Sequence, residues 1–382
     1  MLPNPDLSFR IAAVDTFVFR APADPPVRTS FGIMRNRPAV LVRLTDVDGV
    51  QGWGEVWCNF PSVGAEHRAR LIGSVLTQAV CAQAWASPQA CFEALSRHVQ
   101  VLAIQSGEPG PLAQAVAGID IAIWDLVGRR NGRPLWQLFG GSDTVAVYTS
   151  GINPDHPERV AEAKAREGHT AFKLKVGFGD QRDEDNIRSL RTALGPSAVL
   201  MIDANQAWTP EQAAAMSRRL APYDLTWLEE PLLADTPLDV WRSLAQESPI
   251  RLAGGENLRG EDHFAAAGDQ GGLFVIQPDL GKWGGFSGCL PVGRYAMQRN
   301  RWFCPHWLGG GVGLTASMHL KAALGGPGYV EVDSNPNPLR DMLTPAGLTV
   351  HEGKVRLSDL PGLGIEPPLE ALSAYLIAIQ AD

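Results

Sequence analysis

The feature that most constrains the fold is a series of eight short apolar runs that begins near residue 144. In chain order they are TVAVYTSGI, AFKLKV, AVLMIDAN, LTWLEEP, RLAGGEN, LFVIQPDL, RWFCPHW and GYVEVD. Most are separated by amphipathic segments such as TPEQAAAMSRRLAPY. This alternation predicts right-handed strand–helix–strand crossovers and a parallel sheet, and eight repeats close a barrel. The alternative is an open doubly wound sheet, but no Gly-x-Gly-x-x-Gly turn follows the first run.

The first 140 residues follow a different pattern. Alternating apolar and polar positions in RIAAVDTFVFRAP and AVLVRLTDVDGVQGWGEV predict strands, with a hairpin turn at DVDG. Helical periodicity over about 65–84, over 88–103 and in the stretch that ends LWQLFGG completes an α+β unit. The segment after the eighth run carries turn residues without a clear helix, and we expect it to fold back onto the first unit.

Composition excludes several classes of function. A formal charge of −8 argues against general nucleic-acid binding, which needs a basic surface. No apolar run approaches the roughly 18 residues that span a bilayer, and MLPNPDLSFR lacks the features of a signal peptide. The five cysteines are scattered and form no Cys-x-x-Cys pair, which argues against zinc and disulfide frameworks and fits a reducing cytoplasm.

Seven successive runs end in ionisable side chains. In chain order these are Lys173 with Lys175, Asp203, Glu229 with Glu230, Glu256, Asp279, His306 and Glu331. In barrel enzymes the active site lies at the carboxyl ends of the strands. A single ionisable residue at a strand end is more often just a side chain exposed where the strand reaches the surface. Seven in succession on apolar strands predict a catalytic site.

Three carboxylates on the third, fourth and fifth strands would repel each other without a counter-ion. Asp203, a glutamate of EEP and Glu256 form an all-oxygen set, which favours Mg²⁺ or Mn²⁺ over zinc. The alternation of strand faces does not decide between Glu229 and Glu230. The weaker alternative is a carboxylate cluster paired with arginines.

The other strand ends supply groups for proton transfer. Asp279 is expected to orient the imidazole of His306 and favour its protonated form, while Lys175 approaches from another side of the ring. Two bases beside a metal-bound acid predict abstraction of the proton next to a carboxylate, through an enediolate. Lys173 is expected to lower the pKa of Lys175, and Glu331 to donate a hydrogen bond as a neutral acid.

Together KLK, DANQAW, WLEEP, GGEN, QPDLGKWGG, CPHW and YVEVD resemble motifs of the mandelate racemase subgroup of the enolase superfamily. With the helix GIDIAIWDLVGRRNGRPLWQLFGG, the resemblance extends over about residues 10–368. It implies an α/β protein with three parts: an N-terminal α+β capping domain (1–140), a modified TIM barrel of the (β/α)7β type (141–340), and a C-terminal segment (341–382) that completes the capping domain. Because members of the family are commonly dimers or octamers, it also implies a homo-oligomer.

The resemblance also assigns roles, motif by motif. It implies that Asp203, Glu229 and Glu256 hold the metal, so the first glutamate of EEP is chosen on resemblance alone. By the same transfer Lys175 is the base and Lys173 its electrostatic partner. His306 and Asp279 match the His–Asp dyad, and Glu331 matches the carboxyl donor.

Two reactions of a small carboxylic acid fit this set of groups. Dehydration of an acid sugar (an aldonate or aldarate) to a 2-keto-3-deoxy acid requires His306 to protonate a departing β-hydroxyl. Racemisation or epimerisation of a 2-hydroxy acid requires Lys175 and His306 to act on opposite faces. Subgroup members with Lys-x-Lys and the dyad mostly resemble acid-sugar dehydratases, which favours dehydration. A binding protein with a degraded site is disfavoured, because no member of the constellation is missing.

Substrate contacts are expected from the loops RTSFGIMRNRP and GEVWCNFPSVG and from the barrel. The predicted substrate-binding residues are Arg28, Arg35, Arg37, Trp57, Asn205, Lys282 and Trp283. The three arginines would meet hydroxyls or a distal carboxylate, unless they are solvent-facing loop residues. Trp283 replaces a smaller aliphatic residue of the family and either narrows the pocket or packs. Aromatic residues near the mouth keep an aryl or alkyl 2-hydroxy acid racemase as the alternative.

Overall fold

The structure, a computed structural model, describes residues 5–29, 32–345 and 349–377. Its N-terminal part is an antiparallel sheet packed on helices. The strands are β1 (Phe9–Thr29), β2 (Gly32–Asp46), β3 (Gln51–Val56) and β4 (Ala84–Trp85). The helices are α1 (Gly64–Leu71), a π-helical turn (Ile72–Leu76), α2 (Thr77–Cys81), α3 (Pro88–Ser106), α4 (Pro109–Arg130) and α5 (Leu135–Leu138). The predicted hairpin joins β2 and β3.

Helix α4 lies directly on the sheet because β3 carries glycines where the two meet. A Cβ atom placed on Gly52 or Gly54 would lie only 2.3 or 2.1 Å from a carbonyl oxygen of α4. Among the described helices α4 alone is long and apolar enough to cross a membrane by length and composition. However, 83% of its apolar window is buried inside the fold, as in the core helix of a globular domain.

The second part is the predicted barrel. Its strands are β5 (Thr144–Ile152), β6 (Ala171–Lys175), β7 (Val199–Asp203), β8 (Leu225–Glu229), β9 (Leu252–Gly254), β10 (Val275–Ile276), β11 (Trp302–Phe303) and β12 (Val330–Asp333). Its helices are α6 (Pro157–Arg166), α7 (Asp180–Leu194), α8 (Pro210–Leu220) with a 3-10 turn (Ala221–Tyr223), α9 (Leu238–Glu247), α10 (Glu261–Asp269), α11 (Gly285–Gln298) and α12 (Gly311–Leu324). Seven helices connect eight strands, which confirms the (β/α)7β class.

The parallel strands pair in the order β12–β5–β6–β7–β8–β9–β10–β11. Because the eighth strand returns to the first, the open doubly wound alternative is excluded. Inward-facing side chains fill the barrel, among them Tyr148, Ala171, Met201, Trp227, Ala253, Val275 and Cys304. The strand register places Lys175 opposite Asp203, and Asp203 opposite Glu229. The ionisable strand ends therefore meet at one end of the barrel.

The C-terminal segment contacts both parts. It contains α13 (Pro338–Asp341), β13 (Lys354–Arg356), a 3-10 turn (Ala371–Tyr375) and β14 (Leu376–Ile377). Strand β14 pairs with β1 of the N-terminal sheet, while β13 pairs with barrel strand β5. The segment thus ties the two parts together, and domain boundaries near 140 and 341 remain predictions.

Candidate active site

A cavity of about 220 Å³ opens at the carboxyl ends of the barrel strands. It is lined by Trp57, Phe60, Lys175, Asn205, Gln206, Glu230, Glu256, Asn257, Lys282, His306 and Leu308. A larger cavity of about 380 Å³ between α3 and α4 is lined mostly by apolar side chains. The concentration of charged groups, and not size, therefore identifies the candidate site.

The two lysines of β6 each pair with carboxylates. Lys173 is fully buried and contacts Glu229, with Glu331 at 3.1 Å and Asp203 at 3.5 Å from its Nζ. Burial lowers the pKa of Lys173, but these carboxylates outweigh burial and raise the pKa well above its usual value. Lys173 is therefore an ammonium group in this arrangement.

Lys175 faces the cavity, and its Nζ lies 2.5 Å from Oδ2 of Asp203. Burial, the largest effect, and Lys173 both lower the pKa of Lys175, but Asp203, Glu229 and Glu331 together outweigh them and the net shift is upward. The expected effect of Lys173 is therefore confirmed, while the expected net result, a lowered pKa, is wrong for this arrangement. The reason is the close carboxylate on the neighbouring strand, which stabilises the charged amine.

Asp279 and His306 form the expected pair. His306 Nδ1 lies 2.6 Å from Oδ2 of Asp279, and the second oxygen of Asp279 accepts hydrogen bonds from the backbone N–H groups of Gly281 (2.9 Å) and Lys282 (3.0 Å). Nε2 of His306 lies 2.8 Å from Glu256. Burial lowers the pKa of His306, but the surrounding carboxylates raise it well above the ordinary value. The imidazole is therefore protonated and fixed in orientation.

Glu331 differs from its predicted state. Burial raises its pKa, but Lys173 and His306 outweigh burial, so the pKa is lowered. Ser150 donates a hydrogen bond to Oε1, and the backbone N–H of Trp307 donates to Oε2 at 3.2 Å. The expectation of a neutral hydrogen-bond donor is wrong here, because Glu331 is surrounded by donors and cations that favour the carboxylate.

The two glutamates of EEP face different surroundings. Glu229 contacts Lys173 and accepts hydrogen bonds from Trp227 Nε1 (3.0 Å) and Gln277 Nε2 (2.6 Å), inside the barrel. Glu230 lines the cavity and accepts from Asn257 Nδ2 at 2.9 Å. Its φ of 38° is a left-handed conformation that non-glycine residues rarely adopt. Burial raises the pKa of Glu229 to about 7 and that of Glu230 to about 8.

The predicted metal ligands lie at the same end of the barrel without enclosing one point. Asp203 pairs with Lys175, Glu229 with Lys173, and Glu256 with both Lys282 (2.7 Å) and His306. Across residues 5–29, 32–345 and 349–377, no three His, Cys, Asp or Glu side chains are close enough to hold a metal ion. Each carboxylate instead pairs with the cation nearest to it.

The charge balance nevertheless fits a divalent cation. The mouth contains six carboxyl groups, on Asp203, Glu229, Glu230, Glu256, Asp279 and Glu331. Three lysines and a protonated His306 oppose them, so carboxyl groups outnumber cations, and burial keeps Glu229 and Glu230 partly protonated. Carboxylate oxygens are the ligands that Mg²⁺ prefers. The donor set, with more carboxyl groups than cations, therefore suits Mg²⁺.

Three predicted substrate-binding residues line the cavity. Trp57 forms part of the wall contributed by the N-terminal part, beside Phe60, and the ammonium group of Lys282 lies 4.6 Å from its ring centroid. Asn205 donates a hydrogen bond to Asp203 at 3.2 Å. Gln206, Asn257 and Leu308 also line the cavity but were not predicted. The two amides directly follow strand-end motifs, which is a usable signal, whereas nothing in the sequence marks Leu308.

Of the other four predicted contacts, three lie elsewhere and the fourth is not described. Arg37 is buried and forms an ion pair with Asp333, so it is a structural residue. Trp283 packs against Phe92 and Phe264, with ring centroids 6.3 and 5.8 Å apart, which favours packing over narrowing of the pocket. Arg35 is exposed on β2 and is not among the residues that line the cavity. The side chain of Arg28 lies outside the described residues.

Two family models match most of the chain. The family "Mandelate racemase / muconate lactonizing enzyme, N-terminal domain" matches residues 13–140, and "Enolase C-terminal domain-like" matches residues 156–371. The chain is 32% identical to D-galactarolactone cycloisomerase of Agrobacterium fabrum, over 96% of this chain and 98% of that protein. It is 28% identical to arabinonate dehydratase of Saccharolobus solfataricus, over 68% of this chain and 72% of that protein.

Solved structures agree with this placement. A mandelate racemase/muconate lactonizing enzyme from Bordetella bronchiseptica superposes with a TM-score of 0.92 at 53% identity, covering 96% of this chain and 99% of that chain. An enolase from Bradyrhizobium complexed with magnesium and mandelic acid has a TM-score of 0.85 at 29% identity, covering 97% and 99%. The chain therefore belongs to the enolase superfamily and has the two domains of its mandelate racemase/muconate lactonizing enzyme branch.

Proposed function

We propose that this protein removes the α-proton of an acid sugar through an enediolate and eliminates the β-hydroxyl, giving a 2-keto-3-deoxy acid. The observation that carries the proposal is the placement of Lys175 and His306 on the second and seventh strands, facing one cavity of about 220 Å³. Two proton-transfer groups therefore reach a single bound molecule from different sides. A carboxylate-rich wall lies between them.

The side chains divide the work by their charge. Lys175 takes the α-proton as a neutral amine, after its own proton has left to solvent, and Lys173, held as an ammonium group by Glu229 and Glu331, attracts the substrate carboxylate. His306, protonated and oriented by Asp279, delivers its Nε2 proton to the departing oxygen. Trp57, Phe60 and Leu308 form an apolar part of the cavity wall.

Asp203, Glu229 and Glu256 are the residues proposed to hold Mg²⁺. When bound, the cation stabilises the negative charge that develops on the substrate carboxylate as the α-proton leaves. The excess of carboxyl groups over cations at the mouth and a magnesium-containing neighbour with a TM-score of 0.85 support this assignment. Mn²⁺ remains a prediction from ligand chemistry alone.

A second candidate comes from the relatives. Cycloisomerases of D-galactarolactone and of 3,6-anhydro-α-L-galactonate are each 32% identical to the chain over 96% of its length. If the departing β-oxygen belongs to a ring of the substrate, the same two proton transfers open that ring without releasing water. Racemisation is the third outcome, in which His306 returns a proton to the α-carbon from the opposite face.

One substrate screen tests the proposal and separates the alternatives. Linear acid sugars, sugar-acid lactones and 2-hydroxy acids are incubated with the enzyme and Mg²⁺ in D₂O, and NMR follows the α-proton. Semicarbazide detects 2-keto acids. A 2-keto acid from a linear sugar supports dehydration, and one from a lactone or anhydro sugar supports ring opening. Deuterium exchange with inversion alone supports racemisation. Absence of exchange with every acid would count against the proposal.

The setting of the enzyme is also proposed. All five cysteines are free thiols, which fits a reducing compartment such as the cytoplasm. Neighbouring structures bind small acids such as mandelic acid, and we expect a small carboxylic acid as the only obligatory partner besides Mg²⁺. A homo-oligomer is expected because members of the family are commonly dimers or octamers. Light scattering measures the oligomeric state.

A further inference from the structure

The helices of the barrel differ in how their N-termini are stabilised. Those from α6 to α10 each carry an acidic residue in the first turn, among them Glu158, Asp180, Glu211, Asp239 and Glu261. Within their described residues, α11 and α12 have no acidic residue in the first turn. They begin after glycines without a side-chain cap, as α7 and α10 also do. Helices α11 and α12 directly follow the strands that lead to Asp279 and His306.

Carboxyl groups of the N-terminal domain lie at both of these helix starts. Glu55 at the end of β3 accepts hydrogen bonds from the backbone N–H groups of Gly310 (2.5 Å) and Gly313 (2.9 Å), at the start of α12. Asp120 on α4 accepts a hydrogen bond from the backbone N–H of Ser287 (3.0 Å), at the start of α11. Both carboxyl groups are 1% exposed. Each lies where a helix dipole favours negative charge.

Two glycines make this approach sterically feasible. A Cβ atom on Gly310 would lie 2.6 Å from Oε1 of Glu55, and one on Gly285 would lie 2.3 Å from Oδ2 of Asp120. Gly285 also has a φ of 52°, a conformation in which other residues are strained. Both helix starts are therefore shaped to accept a carboxylate from the other domain.

Further contacts tie the same two barrel loops to the end of β3. Asn59 Nδ2 donates a hydrogen bond to the carbonyl of Leu308 at 2.5 Å, and the N–H of Trp57 donates to the carbonyl of Gly281 at 3.4 Å. Gly281 in turn donates to Asp279. The segment that forms the aromatic wall of the cavity thus also holds the loops that carry the dyad.

We propose that Glu55 and Asp120 are positioning residues through which the N-terminal domain sets the relative placement of Asp279 and His306. The dyad is then completed by contacts between domains, whereas the carboxylate strands β7 to β9 are followed by helices that carry their own acidic residues. Only the catalytic consequence rests on the proposed function. The geometric claim concerns the hydrogen bond between His306 and Asp279 and is testable without a substrate.

The test compares E55Q and D120N with a matched control on the same helix. Asp125 is likewise a buried carboxyl group of α4 that accepts two backbone hydrogen bonds, from Trp53 (2.8 Å) and Leu363 (2.6 Å), but neither lies in a dyad loop. It also pairs with Arg129 at 2.9 Å. D125N therefore reports the cost of losing a buried carboxyl group of α4 outside the dyad loops, together with this ion pair. E55D keeps the carboxyl group and serves if E55Q does not fold.

The readout is the low-field NMR resonance of the His306 Nδ1 proton, recorded on the full-length enzyme with saturating Mg²⁺ and assigned by its loss in H306N. We expect E55Q (or E55D) and D120N to shift this resonance and to accelerate its exchange with solvent at least threefold. D125N is expected to lower the melting temperature but leave the resonance unchanged. An unchanged resonance in both the Glu55 and Asp120 variants would overturn the proposal.

Kinetics provide a second, independent readout once an acid that turns over is known. E55Q is expected to lower kcat at least tenfold with KM within threefold, and to cause no further loss in an H306N background, because both changes act on one group. If E55Q lowers kcat by the same factor in wild type and in H306N, a role through His306 is contradicted. If no acid reacts, the proposed function fails, while the NMR result still decides the positioning role.

Discussion

The mouth of the barrel and the interface between the domains both bury ionisable groups, but they satisfy them differently. At the mouth, charged side chains pair with each other. Lys173 contacts Glu229, Lys175 contacts Asp203, and His306 contacts Glu256 and Asp279. At the interface, buried carboxyl groups pair mainly with the backbone: Glu55, Asp120 and Asp125 accept hydrogen bonds from amide N–H groups, and Asp125 also pairs with Arg129.

Buried polar groups therefore have different roles in the two regions. Pairs of side chains can exchange partners when a ligand or a proton arrives, because each group has several alternatives within reach. Amide donors in a folded loop cannot move without moving the chain. Substitutions at the mouth should therefore change activity more than stability. Substitutions at the interface should change stability more than activity, except at Glu55 and Asp120, which contact the loops of the dyad. The following predictions test that division in order of decreasing effect.

The largest effect is expected from D203N. Loss of this carboxylate should reduce turnover at least about 10³-fold and weaken Mg²⁺ binding measured by calorimetry. The fold should persist, because Lys173 keeps Glu229 and Glu331 as partners. D15N is the control, since Asp15 pairs with Arg43 near the surface. Full Mg²⁺ affinity in D203N would remove Asp203 from the metal site.

H306N should separate the two proton transfers. Product formation should fall by about 10³-fold, while exchange of the substrate α-proton with D₂O, assigned to Lys175, should stay within tenfold of wild type. The melting temperature should change little, because the mouth retains other cations for Glu256, including Lys282. Retention of full turnover would show that the dyad assignment is wrong.

His319 tests the interface by its pH dependence. It is fully buried, its Nδ1 accepts a hydrogen bond from the backbone N–H of Trp136 (3.0 Å), and burial lowers its pKa to about 3. The unfolded chain binds a proton near pH 6.5, but the folded protein does not until about pH 3. This contribution to the free energy of unfolding is complete above about pH 6.5 and is lost as the pH falls toward 3. The loss reaches about 2 kcal/mol at pH 5.

Urea unfolding gives the free energy of unfolding of wild type and H319Q at pH 7.5 and pH 5. The contribution of His319 is the difference between the two proteins in how much stability is lost over this pH range. His306 should act in the opposite direction, because its neighbours raise its pKa and its contribution is lost as the pH rises. If H319Q leaves the pH dependence of unfolding unchanged, His319 is not the neutral acceptor that the geometry indicates.

The smallest functional effect is expected from W283F. Trp283 packs between Phe92 and Phe264, away from the residues that line the cavity, so kcat and KM should stay within about twofold. Stability should fall by about 1–2 kcal/mol through lost packing. W57F is the matched comparison, since Trp57 lines the cavity, and it should raise KM instead. A large rise of KM in W283F would place Trp283 in the substrate site.

Local patterns were sufficient to predict the barrel and the convergence of its polar strand ends. Alternation along β6 and β7 fixes which side chains face inward, and the parallel register then brings Lys175, Asp203 and Glu229 to one level. The dyad followed by the same logic, since Asp279 and His306 end neighbouring strands and form a bridge. Such inferences need only adjacency in the sheet.

Other features depend on distances that no local pattern contains. Arg37 looks like a loop arginine until its partner, Asp333, is brought next to it by the fold. The roles of Glu55 and Asp120 are hidden for a different reason: their partners are backbone amides, which any residue except proline supplies. The protonation of Lys175 and Glu331 likewise reflects a sum of short distances, and the sequence gives no measure of those.

The most direct test of the central claim is the stereochemical course of α-proton exchange in D₂O, followed by NMR for wild type, K175M and H306N with and without Mg²⁺. We predict that exchange requires Mg²⁺ in wild type, survives in H306N and disappears in K175M with the same acid sugar. Exchange that is independent of Mg²⁺, or that persists in K175M, would contradict the account of Lys175 and His306 as two distinct proton-transfer groups around one metal-bound acid.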